Sequence, residues 1–144
     1  MATNDLRSEG RAVPVKLIHT MIRILDEARS VAFYGALGFS EMRRARVGAD
    51  TATIIMMATP EDPEPRLELT LNDGRTEPYV QGDAYGHIAL AIENMDALLA
   101  RLAGQGIEPE KPPYYAYPGG PGICFLRDPD GYRIELIERP AAGH

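Results

Sequence analysis

A single cysteine, Cys124, stands among the 144 residues, so no internal disulfide can staple the chain. Its neighbours Ile123, Phe125 and Leu126 mark it as a small core residue on a buried strand. Long apolar runs are missing too: none approaches the roughly 20 residues of a membrane span, which excludes a transmembrane helix. Met1 to Pro14 is polar and has no apolar signal core, so the expectation is a loosely ordered tail on a cytoplasmic protein. Basic residues cluster only at Arg43, Arg44 and Arg46, in a chain of net charge −6. Such a balance suits neither nucleic acid nor an anionic membrane surface, and a small-molecule partner fits better. What is present, 44% hydrophobic and 25% charged residues, describes one globular domain or two small modules sharing a core.

Val15 to Ile24 alternates as a strand does, with Leu17, His19, Met21 and Arg23 on one side and Ile18, Thr20, Ile22 and Ile24 on the other. Asp26 is a helix cap, Ala28, Val31, Ala32, Tyr34 and Leu37 form the expected buried stripe, and Gly38 ends the helix. Strands follow at Phe39–Val47 and Thr51–Met57. Thr59–Pro65 is acidic and proline-rich and reads as a loop. Arg66–Leu71 alternates again, Leu67, Leu69 and Leu71 against Arg66, Glu68 and Thr70, and Asn72-Asp73-Gly74 stops it.

Residues 75–84 have no sustained period and read as a linker, after which the pattern recurs. His87 opens a strand whose Ile88, Leu90 and Ile92 face the core, while His87, Ala89 and Ala91 face a cavity. Asn94 caps a helix carrying Leu98, Leu99 and Leu102. A short edge strand is expected at Ile107–Glu110, an irregular functional loop at Pro112–Gly122, and strands at Ile123–Arg127 and Tyr132–Glu138 around the turn Asp128-Pro129-Asp130-Gly131. The chain therefore divides into a tail (1–14), a first βαβββ module (15–74), the linker (75–84), a second βαβββ module (85–139) and a C-terminal tail (140–144), an α+β fold made by duplicating a unit of about 55 residues.

The two halves also agree at polar positions. His19 precedes Glu68 by 49 positions and His87 precedes Glu135 by 48, each histidine on a first strand and each glutamate on a last strand, opposite the aliphatic row. Two carboxylates directed into a cavity would repel and would be desolvated at a cost of several kcal/mol, which a divalent cation removes. Two imidazoles and two carboxylates suit nickel, cobalt or zinc, and an octahedral ion would keep two positions for substrate oxygens.

With these residues the sequence resembles glyoxalase I (lactoylglutathione lyase) of the vicinal oxygen chelate superfamily. The resemblance runs from Leu17 to Glu138. It is carried by Leu17-Ile18-His19-Thr20-Met21-Ile22-Arg23, Phe33-Tyr34 with Leu37-Gly38-Phe39, Leu67-Glu68-Leu69-Thr70-Leu71-Asn72, Ala84-Tyr85-Gly86-His87-Ile88-Ala89-Leu90 and the segment Asp128–Leu136. It implies curved sheets enclosing the metal, and a homodimer in which each site takes His19 and Glu68 from one chain and His87 and Glu135 from the other. The implied reaction converts the methylglyoxal–glutathione hemithioacetal to S-lactoylglutathione through a metal-bound enediolate. Glu135 occupies the position of the principal base and Glu68 that of the second proton-handling ligand. Arg23 and Asn72 match positions that hold glutathione's carboxylate and amide groups. The short chain is similar to the nickel- or cobalt-preferring bacterial members, with zinc the alternative. One departure stands out: the loop Tyr117-Pro118-Gly119-Gly120-Pro121 lacks the lysine usual there.

Two other readings share this fold: an isomerase or lyase acting on another vicinal-oxygen substrate, such as a coenzyme A thioester, and a non-enzymatic binding module. Ring-cleaving dioxygenases want two histidines and one carboxylate, and here Glu68 adds a fourth ligand. Binding modules commonly lose ligands, whereas this chain keeps all four.

Overall fold

The computed structural model describes residues 13–140, so most of both expected tails, 1–12 and 141–144, lies outside the described residues. The first unit runs β1 (Thr20–Ile24), α1 (Glu27–Ala36), β2 (Ser40–Val47), β3 (Ala52–Thr59) and β4 (Asp62–Asn72). Its counterpart runs β5 (His87–Ile92), α2 (Met95–Ala103), β6 (Tyr114–Tyr115), β7 (Gly122–Arg127) and β8 (Arg133–Glu138). The first sheet is ordered β1-β4-β3-β2 and the second β5-β8-β7-β6, each with one parallel pair, β1 with β4 and β5 with β8. Both histidine-bearing segments thus lie at a sheet edge, beside the strand that carries the matching glutamate.

Local chemistry explains the helices. The Asp26 side chain accepts from the Arg29 amide at 3.0 Å, and Asn94 does the same for Ala97 at 3.0 Å, each satisfying an orphan donor of a first turn. The buried face of α1 is Ser30, Phe33, Tyr34 and Ala36; the expected Ala28 and Ala32 are exposed. The stripe is therefore rotated toward Ser30 and Phe33, and Ser30, like the expected Tyr34, is claimed by the second unit. Tyr34 donates from its hydroxyl to Asp128 Oδ2 at 2.5 Å, Ser30 Oγ donates to Asp130 Oδ2 at 3.3 Å, and the Leu25 amide donates to Asp130 Oδ1 at 3.0 Å. The Tyr132 hydroxyl reaches the Arg23 carbonyl at 3.0 Å. One core cluster consequently runs through both units, from Ile22, Ile24, Phe33 and Leu69 to Leu102, Leu126, Ile134 and Leu136. Burial raises the Asp128 carboxyl above its ordinary value and pushes the Tyr34 phenol well above its own, with the charge of Asp128 adding to the latter.

Strand limits differ from expectation in three places. Residues 13–19 are not strand, because β1 finds its β4 partner only from Thr20, opposite Leu67. The supposed loop Thr59–Pro65 is mostly hairpin: β4 begins at Asp62, and Pro63 and Pro65 fall where β4 pairs with β3 alone, so their missing N–H groups can face the unpaired side. The edge strand of the second sheet is Tyr114–Tyr115 inside the proline- and glycine-rich loop, whereas Ile107–Glu110 is not strand and reaches β7 by a backbone bond from the Glu110 amide to the Phe125 carbonyl at 2.9 Å. Among the described residues no helix is long and apolar enough to cross a membrane.

Candidate functional site

Strand parity sets the site. In β4, Leu67 and Leu69 are buried in the core, so Glu68, Thr70 and Asn72 project from the other face. In β8, Ile134 and Leu136 are buried and Glu135 projects from the opposite side. His19, the residue immediately before β1, brings Nε2 to 3.1 Å from Glu68 Oε1. His87, first residue of β5, brings Nε2 to 3.1 Å from Glu135 Oε1. The carboxylates are the less accessible partners, with side chains 14% and 17% exposed against 32% and 39% for the imidazoles. Each glutamate also faces an apolar neighbour across the antiparallel ladder: Met56 opposite Glu68 and Phe125 opposite Glu135. Both neighbours are buried, and the Phe125 ring stands edge-on to His87 at 5.3 Å.

These two pairs lie on separate sheets. Among the described residues no three His, Cys, Asp or Glu side chains gather around one point, so a single chain does not bring all four expected ligands together. Neighbouring ligands of an octahedral ion with bonds of about 2.1 Å stand about 3.0 Å apart, while tetrahedral neighbours would stand about 3.4 Å apart. The observed 3.1 Å is also an N–H···O hydrogen-bond distance. What favours a cation is the chemistry of the donor set, one neutral-capable nitrogen and one carboxylate oxygen presented twice from equivalent strands.

The pairs differ in one respect. Thr70, 4% exposed, donates from its hydroxyl to Glu68 Oε2 at 3.0 Å. The equivalent position beyond Glu135 is Ile137, which has no hydroxyl. Glu68 is thereby held at both oxygens, and Glu135 has no such clamp among the described residues. Thr70 did not figure among the candidate site residues, although its parity already placed it beside Glu68.

Arg23 and Asn72 are brought together as well, Arg23 Nη1 donating to Asn72 Oδ1 at 2.9 Å. Tyr79, which sequence reasoning left in the linker, donates to the same oxygen at 3.2 Å. Just before the glycine loop, Lys111 lies over the Tyr114 ring at 4.8 Å, and within the loop Tyr117 is exposed. The Tyr117 ring lies against Gly120, where a Cβ would come within 2.8 Å of Cε2, so a side chain there would displace the exposed ring. A cavity of about 800 Å3 opens between the units, lined by Leu37, Phe39, Ile88, Leu90 and Leu98. It touches His19 but none of the other three expected ligands, and so is a gap on the aliphatic side of β5 rather than the polar site.

The chain belongs to the Glyoxalase/Bleomycin resistance protein/Dioxygenase superfamily, whose sequence pattern matches residues 16–136. Within that class it is similar to the lactoylglutathione lyase of Salmonella typhimurium, 38% identical over 131 residues that cover 90% of this chain and 96% of that one. It is similar also to the trypanothione-dependent glyoxalase I of Leishmania major, 37% identical at a TM-score of 0.70, with 87% of each chain covered. A glyoxalase I from Zea mays superposes at a TM-score of 0.78 with 28% identity, and there this chain spans 88% of itself and about half, 46%, of the maize chain.

Proposed function

We propose that this chain is a lactoylglutathione lyase that isomerises the hemithioacetal of methylglyoxal and glutathione to S-lactoylglutathione. The observation that carries the proposal is the twice-presented His–Glu couple, 3.1 Å in both sheets, in a chain that matches lactoylglutathione lyases over nearly its whole length. His19, Glu68, His87 and Glu135 would hold one divalent cation, nickel or cobalt in preference to zinc. When bound, that cation supplies Lewis-acid stabilisation of negative charge developing on the substrate's vicinal oxygens.

The rest of the reaction belongs to side chains. Glu135 takes the proton from the carbon bearing sulfur and returns it to the adjacent carbon, while the hydroxyl proton passes from the first carbon's oxygen to the second's, so the net change is an isomerisation without loss of any atom. With no hydroxyl clamp on it among the described residues, Glu135 is the less restrained of the two carboxylates, whereas Glu68 is held by Thr70 and serves as ligand and second proton carrier. Met56 and Phe125 exclude water beside the two carboxylates. Four residues at about 3.3 Å each place Asn72 roughly 13 Å along β4 from Glu68, the reach of an extended tripeptide, so Arg23 and Asn72 are suited to its far, anionic end.

We further propose a homodimer with shared sites, a reading that the same geometry supports. Each couple is open on its own sheet, and β1 and β5 are edge strands. Val13, Val15, Leu17 and Ile18 lie exposed beside β1, an apolar strip that a second copy would cover. The test is activity on the methylglyoxal–glutathione adduct: chelation should abolish it, and nickel or cobalt should restore it better than zinc. Full activity in demonstrably metal-free protein would overturn the proposal.

A further inference from the structure

An amide side chain has one acceptor and one donor end, and what surrounds Asn72 decides which end a substrate meets. Arg23 can only donate, and its Nη1 lies 2.9 Å from Asn72 Oδ1. The Tyr79 hydroxyl lies 3.2 Å from the same oxygen. A guanidinium cannot face an NH2 group, so the amide orientation follows from chemistry: the oxygen is engaged by Arg23 and Tyr79, and the NH2 group is turned the other way, where among the described residues it has no partner.

Tyr79 is itself held by a small structure within the linker. Arg75 folds the segment around its own side chain, Nε donating to the Glu77 carbonyl at 2.6 Å and Nη2 to the Pro78 carbonyl at 3.1 Å. Its guanidinium then lies 4.2 Å from the centre of the Tyr79 ring. Two residues on, Gln81 Nε2 donates to the Asp130 carbonyl at 2.7 Å, tying the same segment to the turn that docks on α1. A linker needs none of this merely to connect two units.

We propose that Tyr79, set in place by Arg75, is a positioning residue that locks Asn72 as a pure hydrogen-bond donor beside the Arg23 cation. Substrate recognition at this end of the cleft is then confined to groups that accept only, a carboxylate or a peptide carbonyl. This rests on the lyase reading above. Without Tyr79 the amide keeps one anchor and its NH2 group is less firmly aimed, which weakens binding remote from the reacting carbons and leaves the chemical step alone.

The experiment is steady-state kinetics on the methylglyoxal–glutathione adduct with Tyr79→Phe, which keeps the ring and its stack on Arg75, in both the wild-type and the Asn72→Ala background. In the wild-type background KM should rise about fivefold, the order expected for a lost neutral hydrogen bond, with kcat within about twofold. In the Asn72→Ala background, whose KM is already raised, the same change should have no further effect, because there is no amide left to orient. A general structural role for Tyr79 would raise KM equally in both backgrounds and would overturn the inference, as would an unchanged KM in the single variant. An inactive wild type would overturn the lyase reading and this inference with it.

Discussion

At the scale of single residues, two side chains separate binding from chemistry. Arg23 touches Asn72, four residues along β4 from Glu68, so Arg23→Ala should raise KM by roughly ten- to a hundredfold, the equivalent of about 1.5–3 kcal/mol for a lost charge-assisted bond, with kcat nearly unchanged. An unaltered KM for the glutathione adduct would show Arg23 to be a solvated strand-end charge. Thr70 makes the opposite case. Its hydroxyl sits on a carboxylate oxygen of Glu68, so Thr70→Val, close in volume, should lower kcat/KM by about tenfold through a misdirected ligand while the thermal midpoint moves little. A parallel loss of stability and activity would show that Thr70 serves packing alone. Both residues sat on the cavity side of an alternating strand, and alternation is the most dependable pattern a sequence offers. Missing from that pattern was which exposed polar residue touches which, because Tyr79 reaches Asn72 out of a segment with no period at all.

At the scale of elements, departures from expectation share a physical cause: each depends on which other element the segment pairs or packs with. The aliphatic rows of β4, β5 and β8 were legible because a period of two records which face is buried. The rotation of α1 was not, since Ser30, which it brings inward beside the expected Tyr34, is buried against Asp130, about a hundred residues away. Proline content argued for a loop at 59–65, and only the one-sided pairing of that part of β4 makes prolines tolerable there. The turn between β7 and β8 gives a test at this scale. Burial holds the Asp128 carboxyl above its ordinary value, so the folded state binds a proton more tightly than the unfolded chain does. For a raised carboxylate the associated stability is fully present below the unfolded value near 3.9 and is lost as pH rises through the folded value. Asp128→Asn removes that titration. Thermal midpoints of the two proteins should therefore diverge on acidification, the wild type gaining on the variant between neutral pH and about pH 4. A difference that stays constant or shrinks over that range would contradict the assigned burial.

At the scale of the whole molecule, both His–Glu couples are complete and neither is a four-ligand site, so the question is which two couples meet. Duplication was readable from the 49- and 48-residue spacings, but spacing cannot say whether the halves of one chain or of two face each other. In this chain the couples lie on separate sheets and the units are joined on their other side, through α1 and the Asp128–Gly131 turn. Sharing between two copies related by a twofold axis then predicts a particular complementation. Glu68→Ala and Glu135→Ala homodimers should each be nearly inactive, since every site lacks a ligand. When the two are unfolded together and refolded as a mixture, one site of each heterodimer collects both substitutions. The other site receives intact His19 and Glu68 from the Glu135→Ala chain and intact His87 and Glu135 from the Glu68→Ala chain. Random pairing makes about half of the dimers mixed, each with one good site of two, so about a quarter of wild-type activity should return. If heterodimers are confirmed by mass and no activity returns, each site is built within one chain, because every intrachain site in the mixture would still carry one substitution.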